Sequence, residues 1–336
     1  MTDLEFKNAD PQFPLVSVII VNYNGRAYLD ACISSILSQT YPKIEIIFVD
    51  NGSSDNSTDY IKDKYPSVVI IACSENYGFA KGNNIGIEAA KGDLVATLNN
   101  DTKVTSRWVE ELVQSISLDE KIGMCASKML FMKEPEIINS TGICISRSGA
   151  CWDRGMSEQD KGQYDSCTDV FGPCAGAAIY RKTMLEDIGL FDEDFCAYME
   201  DADLAFRGRL AGWKCLYVPN AVVYHFHGGT AGYVSDYTIY HGDRNLIWNT
   251  FKNFPTQFLI TSLPWIICRN LAVVPYYILK GHGSAILRSK IDAIKGMKKV
   301  LSKRSQCLID KGEITKYIYS WADIRSPSTK KSKNVK

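Results

Sequence analysis

Residues 15–24 read LVSVIIVNYN, an apolar and β-branched run that ends at asparagine residues. This composition predicts a strand buried on both faces and followed by a loop. Three further apolar runs lie at 44–50, 67–73 and 93–99, with helical spacing or helix-capping residues between them. Four strands alternating with three helices over about 85 residues predict an α/β fold with a doubly wound, mostly parallel sheet and helices on both faces.

Polar residues follow three of these four strands, at 22–24, 50–51 and 99–101. The carboxyl ends of parallel strands meet at one edge of the sheet, where α/β proteins bind their ligands. Each segment alone is typical of an ordinary turn, but three at the same edge favour a nucleotide site. The chain has no GxxxxGK[ST] motif, and no GxGxxG follows the first strand. We therefore expect a metal ion, Mg²⁺ or Mn²⁺, to neutralise a bound diphosphate in place of a glycine-rich loop.

A second group of acids, Glu200, Asp201 and Asp203, opens the predicted helix EDADLAFRGRLAG at 200–212. Acids in the first turn of a helix are favoured by the helix dipole, so these three are explained by that alone. However, they follow the apolar FCAYM, where a carboxylate with a raised pKa would serve as a general base. His225 and His227 share one face of a predicted strand, where they either pack or ligate a cation.

Composition and charge place the chain among globular proteins of a reducing compartment. It has 336 residues, 46% of them apolar, and eleven Cys without a CxxC pair. These features argue against a disulfide framework and against a zinc site. The polar start is not typical of a signal peptide, so we expect a cytoplasmic protein. From residue 280 onward fifteen Lys and Arg face four Asp and Glu, although the formal net charge of the whole chain is zero.

The C-terminal part predicts contact with a membrane surface. Residues 256–279 are apolar, but Pro264, Arg269, Asn270 and Pro275 interrupt them, so we do not expect a clean transmembrane helix. Residues 285–304 have helical apolar spacing and many lysines, which is typical of helices that lie on anionic lipid. The alternative is a pair of helices packed on the catalytic domain with a solvated lysine face. The basic tail lacks interleaved aromatic residues, so we expect no nucleic-acid partner.

Several segments together resemble the inverting family 2 glycosyltransferases with a GT-A fold, especially their rhamnosyltransferase-like bacterial branch. The matching segments span residues 15–248 in the expected order and include VSVIIVNYNG, IEIIFVDNGSSDNS, ENYGFAKGNNIGI, LNND, GLFDEDFCAYMEDADLAFRGRLAGW and RNLIW. The resemblance implies transfer of a sugar from a nucleotide-diphosphate donor to a hydroxyl of a glycan acceptor, and it implies that this acceptor is carried on a lipid.

The resemblance also assigns residues. Asp201 matches the catalytic base and Glu200 is its neighbour, while Asp101 and His225 match metal ligands. In place of the family's Asp-x-Asp motif the chain has Asn99, Asn100 and Asp101, so only one of the three is a charged ligand. The nucleotide-sugar pocket is expected to include Asn22, Tyr23, Asn24, Asp50, Asn51, Asn83, Asn99 and Asn100. The acceptor is expected near Gly176, Ala177 and Arg244.

We expect an N-terminal extension (1–14) and a GT-A domain (15–250), with a nucleotide-binding half (15–105) and an acceptor and catalytic half (106–250). A membrane-interfacial helical region (251–320) and a basic disordered tail (321–336) follow, which predicts a peripheral protein on the inner face of the plasma membrane. The resemblance implies dTDP-rhamnose as the first candidate for the donor and a UDP sugar as the second candidate. The alternatives are a sugar nucleotidyltransferase and a nucleotide-sugar binding module without turnover. The oligomeric state is left open.

Overall fold

The computed structural model describes residues 13–226, 234–304 and 311–320. His227, most of the expected N-terminal extension and the whole basic tail lie outside the described residues. The predictions made for these parts of the chain therefore stay predictions.

The first half of the chain forms the predicted alternation of strands and helices. Its elements are β1 (Val16–Asn22), α1 (Arg26–Leu37), β2 (Ile44–Asp50), α2 (Ser57–Lys64), β3 (Val69–Ala72), α3 (Gly78–Ala89) and β4 (Leu94–Asn99). The four strands are parallel and lie in the order β3-β2-β1-β4. The predicted doubly wound, mostly parallel sheet is therefore confirmed.

Alternate residues of the strands face two separate cores, which explains why their sequences are apolar throughout. Val18 and Ile20 of β1 point to a core shared with α1 and α2. Ile19 points to the opposite core, where it packs with Ile87 of α3. Helices thus cover both faces of the sheet, as predicted.

The second half of the chain extends the same sheet to nine strands and adds further helices. Its elements are β5 (Thr102–Val104), α4 (Trp108–Ile116), β6 (Ile122–Phe131), β7 (Ile138–Ser140), β8 (Ile143–Ser146), β9 (Cys151–Asp153), β10 (Ala177–Arg181), α5 (Lys182–Ile188), α6 (Glu200–Leu210) and β11 (Lys214–His225). The order continues β4-β10-β6-β11-β5, with β10 antiparallel to both of its neighbours and β7 paired with β6. Strands β8 and β9 belong to a separate small sheet.

Strand β11 corrects one expectation. We expect strand, turn and strand over 213–227, because Pro219 and Asn220 are typical of a turn. The structure instead has one continuous strand whose register against β6 shifts between Val218 and Val222. A β-bulge absorbs the extra residues without ending the strand. It keeps His225 in register opposite Thr102 of β5.

The C-terminal region consists mainly of three long helices, α7 (Asp236–Asn253), α8 (Thr256–Leu279) and α9 (Gly283–Ser302). A short helix α10 (Lys311–Thr315) follows, and then β12 (Ile318–Tyr319), which pairs with β8. Helix α8 runs through Pro264 and Pro275 without a break, so the interruptions expected at these residues are absent. By length and composition alone, α8 is the one helix in the described part of the chain that is long and apolar enough to cross a membrane.

Helix α9 packs on α7 through small residues. As a result, only some of the apolar residues predicted to share one face of the helix at 285–304 are buried. Trp248 of α7 donates from its indole N–H to the Ala293 carbonyl, 3.0 Å away. A Cβ on Gly296 would lie 2.4 Å from the Trp248 ring, so only glycine permits this close approach. Ile286 is buried in this interface, whereas Leu287 and Ile294 are exposed on the outer face.

Candidate active site

The polar residues that follow β1, β2 and β4 are joined by hydrogen bonds. Parallel pairing sets Asn22 opposite Asp50. The Asn22 amide donates to Asp50 Oδ1 at 3.2 Å, and the Asn100 amide donates to Asn22 Oδ1 at 2.6 Å. Asn24 accepts a hydrogen bond from the Ser54 backbone N–H, and the nearby Tyr23 is partly exposed. The predicted nucleotide edge is therefore one connected polar cluster, in which Asn22, Asp50 and Asn100 are themselves buried.

Two of the predicted nucleotide-site residues, Asn51 and Asn83, make hydrogen bonds that stabilise the fold. The Asn51 amide donates to Asn76 Oδ1 and to the Gly78 carbonyl, both at 3.0 Å, and shapes the turn before α3. The Asn83 amide donates to the Phe79 carbonyl in its own helix and is buried. These contacts place both residues behind the edge, where they support its backbone.

The turn after β4 brings its carboxylate to the end of β11. Asp101 Oδ1 lies 3.1 Å from His225 Nε2, and both residues are buried. The Asn99 amide lies 3.3 Å from the same nitrogen. The backbone N–H of Phe226 donates to the Asp101 carbonyl, which fixes the turn against the strand. The pairing of β5 with β11 thus unites two residues that are 124 positions apart in sequence.

The hydrogen-bonding pattern around His225 suits a cation. Asn139 Oδ1 lies 2.8 Å from Nδ1, and this contact orients the ring so that Nε2 points toward Asp101. Nε2 lies 3.1 Å from the Asp101 carboxylate, a contact that either a shared proton or a shared cation would stabilise. An imidazole oriented by an amide oxygen and aimed at a carboxylate is a common arrangement for metal ligands.

The protein supplies only part of a coordination shell. No group of three or more His, Cys, Asp or Glu side chains in residues 13–226, 234–304 and 311–320 is arranged to hold a metal ion. Asp101 and His225 would be two ligands, leaving the remaining positions for oxygen atoms of a substrate or water. This donor set fits a divalent cation that binds together with a diphosphate.

A second group of acids lies at the start of α6. Glu200 is buried, and its Oε2 has no hydrogen-bond partner within residues 13–226, 234–304 and 311–320. Burial and the charge of Asp201 raise the pKa of Glu200 well above its ordinary value. Burial also raises the pKa of Asp201, but the backbone N–H groups of Ala175 and Ala202 donate to its carboxylate and oppose the shift. The negative charge of the pair is therefore held on Asp201.

One short segment before β10, residues 175–176, links the turn that carries Asp101 to the Glu200–Asp201 pair. The Ala175 N–H donates to Asp201 Oδ2 at 3.2 Å, and the Asn99 N–H donates to the Gly176 carbonyl at 2.8 Å. A Cβ on Gly176 would lie 3.1 Å from the Asn99 amide, so the missing side chain leaves room beside that residue. Ala177 is buried within β10 opposite Leu98.

Arg244, a predicted acceptor residue, lies on α7 and is largely buried. Its Nη2 donates to the carbonyls of Asp194 and Phe195, at 3.0 and 3.2 Å. The contacts that the structure shows for Arg244 are thus with the segment that leads to the acidic turn. A role in acceptor binding stays a prediction.

Two residues near the site were missed by the sequence analysis. Asn139 orients His225, and Asp153 lies at the end of β9. Burial raises the pKa of Asp153 to about 6, and the charge of Asp201 acts in the same direction. Both residues lie between 105 and 176, where the apolar residues show no helix or strand spacing that leads up to a polar residue. The sequence therefore does not single out either residue as part of a site.

With this geometry known, the family model for glycosyl transferase family 2 matches residues 17–189, just over half of the chain. The chain belongs to glycosyl transferase family 2. A relative from Haemophilus influenzae, named "Uncharacterized glycosyltransferase", is 28% identical over 247 residues, which cover 69% of this chain and 70% of the relative. For three further relatives the match covers only 65%, 40% and 35% of their own length.

Solved structures show the same GT-A fold for this family 2 chain. A mannosyltransferase from Pyrobaculum calidifontis, in complex with GDP-Man and Mn²⁺, has a TM-score of 0.53 at 18% identity, over 87% of this chain and 86% of that one. TarS 1-349 of S. aureus, in complex with UDP-GlcNAc, has a TM-score of 0.58 at 17% identity, over 86% of this chain and 83% of that one. At these identities the likeness concerns the fold, and the predicted GT-A architecture is confirmed.

Proposed function

We propose that this family 2 glycosyltransferase transfers a sugar from a nucleotide-diphosphate donor to a glycan hydroxyl, with inversion at the anomeric carbon. One observation carries the proposal. The backbone segment 175–176 connects two pairs of site residues. The Gly176 carbonyl accepts a hydrogen bond from the N–H of Asn99, in the turn that carries Asp101 and its partner His225, and the Ala175 N–H donates to Asp201 of the Glu200–Asp201 pair. This short connection supports a site in which the residues proposed for diphosphate charge and for proton removal act on the same donor.

Asp201 is the proposed general base. It takes the proton of the acceptor hydroxyl as the oxygen attacks the anomeric carbon, and the bond to the leaving diphosphate breaks. Burial and the neighbouring charge raise the pKa of Glu200 well above its ordinary value, which favours Asp201 as the member of the pair that acts as base. One base and one displacement invert the configuration, so no second nucleophile is required. The raised pKa of Asp201 makes it a stronger proton acceptor than an exposed aspartate.

Asp101 and His225 are the proposed metal ligands, supported by their 3.1 Å approach and by the orientation of the imidazole through Asn139. A bound Mn²⁺ or Mg²⁺ would offset the charge that develops on the leaving diphosphate. The imidazole ligand favours Mn²⁺, because Mg²⁺ prefers a shell of oxygen atoms. Asn22, Asp50 and Asn100 are proposed to bind the nucleoside, with dTDP-rhamnose as the first donor to test and UDP sugars as the second.

A donor panel tests this proposal. The protein is incubated with dTDP-rhamnose, UDP-glucose, UDP-GlcNAc and GDP-mannose, with and without Mn²⁺, and donor hydrolysis and donor affinity are measured. We expect one donor to be hydrolysed slowly and bound in a Mn²⁺-dependent way. The variant His225→Ala should lose most of that dependence, whereas His227→Ala, the matched control two residues away, should keep it.

Other outcomes assign the site differently. Release of pyrophosphate from a nucleoside triphosphate would support a nucleotidyltransferase, which the family assignment already disfavours. Tight donor binding without hydrolysis or transfer to any acceptor would support a binding module. Full Mn²⁺ dependence in His225→Ala would show that Asp101 and water suffice for the metal.

We also propose that the C-terminal helices hold the enzyme on an anionic membrane surface at the inner face of the plasma membrane. Leu271 of α8 and Ile294 of α9 are 69% and 74% exposed, which is unusual for large apolar side chains. The side chains of Arg288 and Lys295 on α9 are also largely exposed, although each lies within 4 Å of Asp292. Exposed apolar side chains together with exposed cations match the chemistry of an anionic bilayer surface. This position would suit an acceptor glycan carried on a lipid.

Substitutions on the outer face of α9 test this better than deletion, because α9 packs on α7. Lys295→Glu with Lys298→Glu should weaken binding to equimolar phosphatidylglycerol and phosphatidylcholine vesicles at least about 10-fold, since each lysine contributes on the order of 1 kcal/mol. Lys62→Glu with Lys121→Glu, two exposed lysines of the catalytic domain, is the control. If the unaltered protein ignores these vesicles at low salt, the membrane proposal is wrong.

A further inference from the structure

The loop that leads into the acidic turn has an unusual backbone. Cys196 has φ 64° and ψ −65°, Tyr198 has φ 68°, and Met199 has φ 69° and ψ 0°. Residues with side chains rarely adopt positive φ, and three within four positions persist only where surrounding contacts impose them. Glu200 and Asp201 follow directly, so the path of this loop sets where the proposed base projects.

A single buried amide makes most of the side-chain contacts with this loop. Asn245 of α7 is fully buried, and its Nδ2 lies 2.8 Å from the Phe195 carbonyl, 2.9 Å from that of Ala197 and 2.7 Å from that of Tyr198. Its Oδ1 accepts a hydrogen bond from Arg244 Nε at 2.9 Å, which fixes the amide orientation. Three carbonyl oxygens that converge on one N–H₂ group satisfy backbone acceptors that would otherwise require water.

The loop also touches the nucleotide-binding half. The Ala80 N–H at the start of α3 donates to the Cys196 carbonyl at 2.9 Å. A Cβ on Gly78 would lie 2.5 Å from the Cys196 sulfur, so that glycine lets the loop approach. Movement of residues 195–199 would therefore alter the position of Asp201 relative to both halves of the domain.

We propose that Asn245 is a positioning residue that holds the 195–199 loop in its high-energy path and thereby fixes Asp201 for proton removal. The inference rests on the proposed role of Asp201 as base. Asn245 does not touch the reacting atoms in this proposal. Without its amide, three carbonyls lose their shared donor and the loop relaxes toward an ordinary conformation. A displacement of about 1 Å at a catalytic group costs on the order of 10²-fold in rate.

The test compares three single variants. Asn245→Ala removes the amide, and Asn245→Asp keeps the shape but replaces the donor. Asn249→Ala is the matched control: Asn249 is a fully buried asparagine one turn further along α7, whose Nδ2 lies 3.8 Å from the Cys151 sulfur and whose Oδ1 accepts a hydrogen bond from the Asn253 amide at 2.8 Å, so these contacts lie away from the 195–199 loop. With the donor that the panel shows to be hydrolysed fastest, we expect both Asn245 variants to lose roughly 10²-fold in kcat. Donor affinity should change less than threefold, and the control should keep its turnover.

A double-mutant cycle separates positioning from general support of the fold. If Asn245 acts through Asp201, adding Asn245→Ala to Asp201→Asn should lower kcat no further, because residues that act as a unit are not additive. Independent, multiplicative losses would overturn the proposal. So would near-normal kcat in both Asn245 variants, an equal loss in Asn249→Ala, or failure of both Asn245 variants to fold. Normal turnover in Asp201→Asn alone would instead refute the proposed base, which distinguishes the two failures.

Discussion

The first turn of α6 presents acids to two different environments. Asp203 is fully buried and accepts hydrogen bonds from Arg207 Nε at 2.9 Å and from the Asn253 amide at 2.8 Å, while Lys252 Nζ lies 2.8 Å from it. Glu200, three residues earlier, has a buried oxygen with no hydrogen-bond partner among the residues that the structure describes. Acids of one helical turn thus differ in whether a negative charge is compensated.

The pKa values follow this difference. Burial alone would raise the pKa of Asp203, but the charges of Arg207 and Lys252 hold it below its ordinary value. Burial raises the pKa of both Glu200 and Asp201, and what opposes the shift at Asp201 is hydrogen bonding from backbone N–H groups. The comparison teaches that the partners supplied by the tertiary fold decide whether the pKa of a helix-end acid is lowered or raised, which sequence context alone does not. The same substitution, aspartate to asparagine, tests Asp203 and the proposed base Asp201.

The largest effect is expected at Asp203. The variant Asp203→Asn should lower the free energy of unfolding by about 3 kcal/mol, because it leaves the buried Arg207 and Lys252 cations without one of their carboxylates. Chemical denaturation at pH 7 measures this change. Donor hydrolysis per folded molecule should be nearly normal. A loss below about 0.5 kcal/mol would place Asp203 among dispensable surface charges.

The effect expected next in size is on turnover, at Asp201. Asp201→Asn should lower kcat roughly 10²-fold or more, which corresponds to about 2.7 kcal/mol of barrier height. Its stability should be unchanged or slightly higher, because the folded protein already disfavours the charged form. Donor affinity measured by calorimetry should be retained. Near-normal turnover with Glu200 intact would transfer the role to Glu200 or remove it.

The sequence was sufficient for the parts of the site that depend on local pattern. Apolar strands that end in polar residues predicted the edge formed by Asn22, Asp50 and Asn99, because parallel strands align their ends. The apolar residues before Glu200 predicted a buried acidic turn, and both pKa values there are raised. Local spacing also predicted α9, although not which of its faces is buried.

The sequence was insufficient where a partner comes from a distant part of the chain. Lys252, which compensates Asp203, is 49 positions away, and Asn139, which orients His225, is 86 positions away. Such contacts arise from helix and strand packing, which no local periodicity encodes. The lysines of α9 show the same limit: Lys299 and Lys303 pair with Asp194, so they contribute less to an open basic face than their spacing predicts.

The smallest effect is expected at Glu200 and depends on pH. Since folding raises its pKa, the folded protein retains a proton that the unfolded chain releases once the pH exceeds about 4.3. Glu200 therefore reduces stability progressively as the pH rises from that value toward the folded-state pKa. The neutral variant Glu200→Gln should remove this slope and gain on the order of 1 kcal/mol at pH 8, with almost no gain at pH 4.5.

Asp203 predicts the opposite sign, since its lowered pKa stabilises the folded protein at neutral pH and this stabilisation is lost as the solution becomes acidic. The Asp203 slope lies below about pH 3.9, the ordinary pKa of an aspartate, and the Glu200 slope lies above about pH 4.3. Chemical denaturation of Glu200→Gln, Asp203→Asn and the unaltered protein from about pH 2.5 to 8.5 therefore measures both slopes in one series. An equal gain for Glu200→Gln at every pH would mean that the substitution acts through packing. A loss that grows with pH would mean that the Glu200 carboxylate is compensated after all, and the two acids of the α6 turn would then not differ.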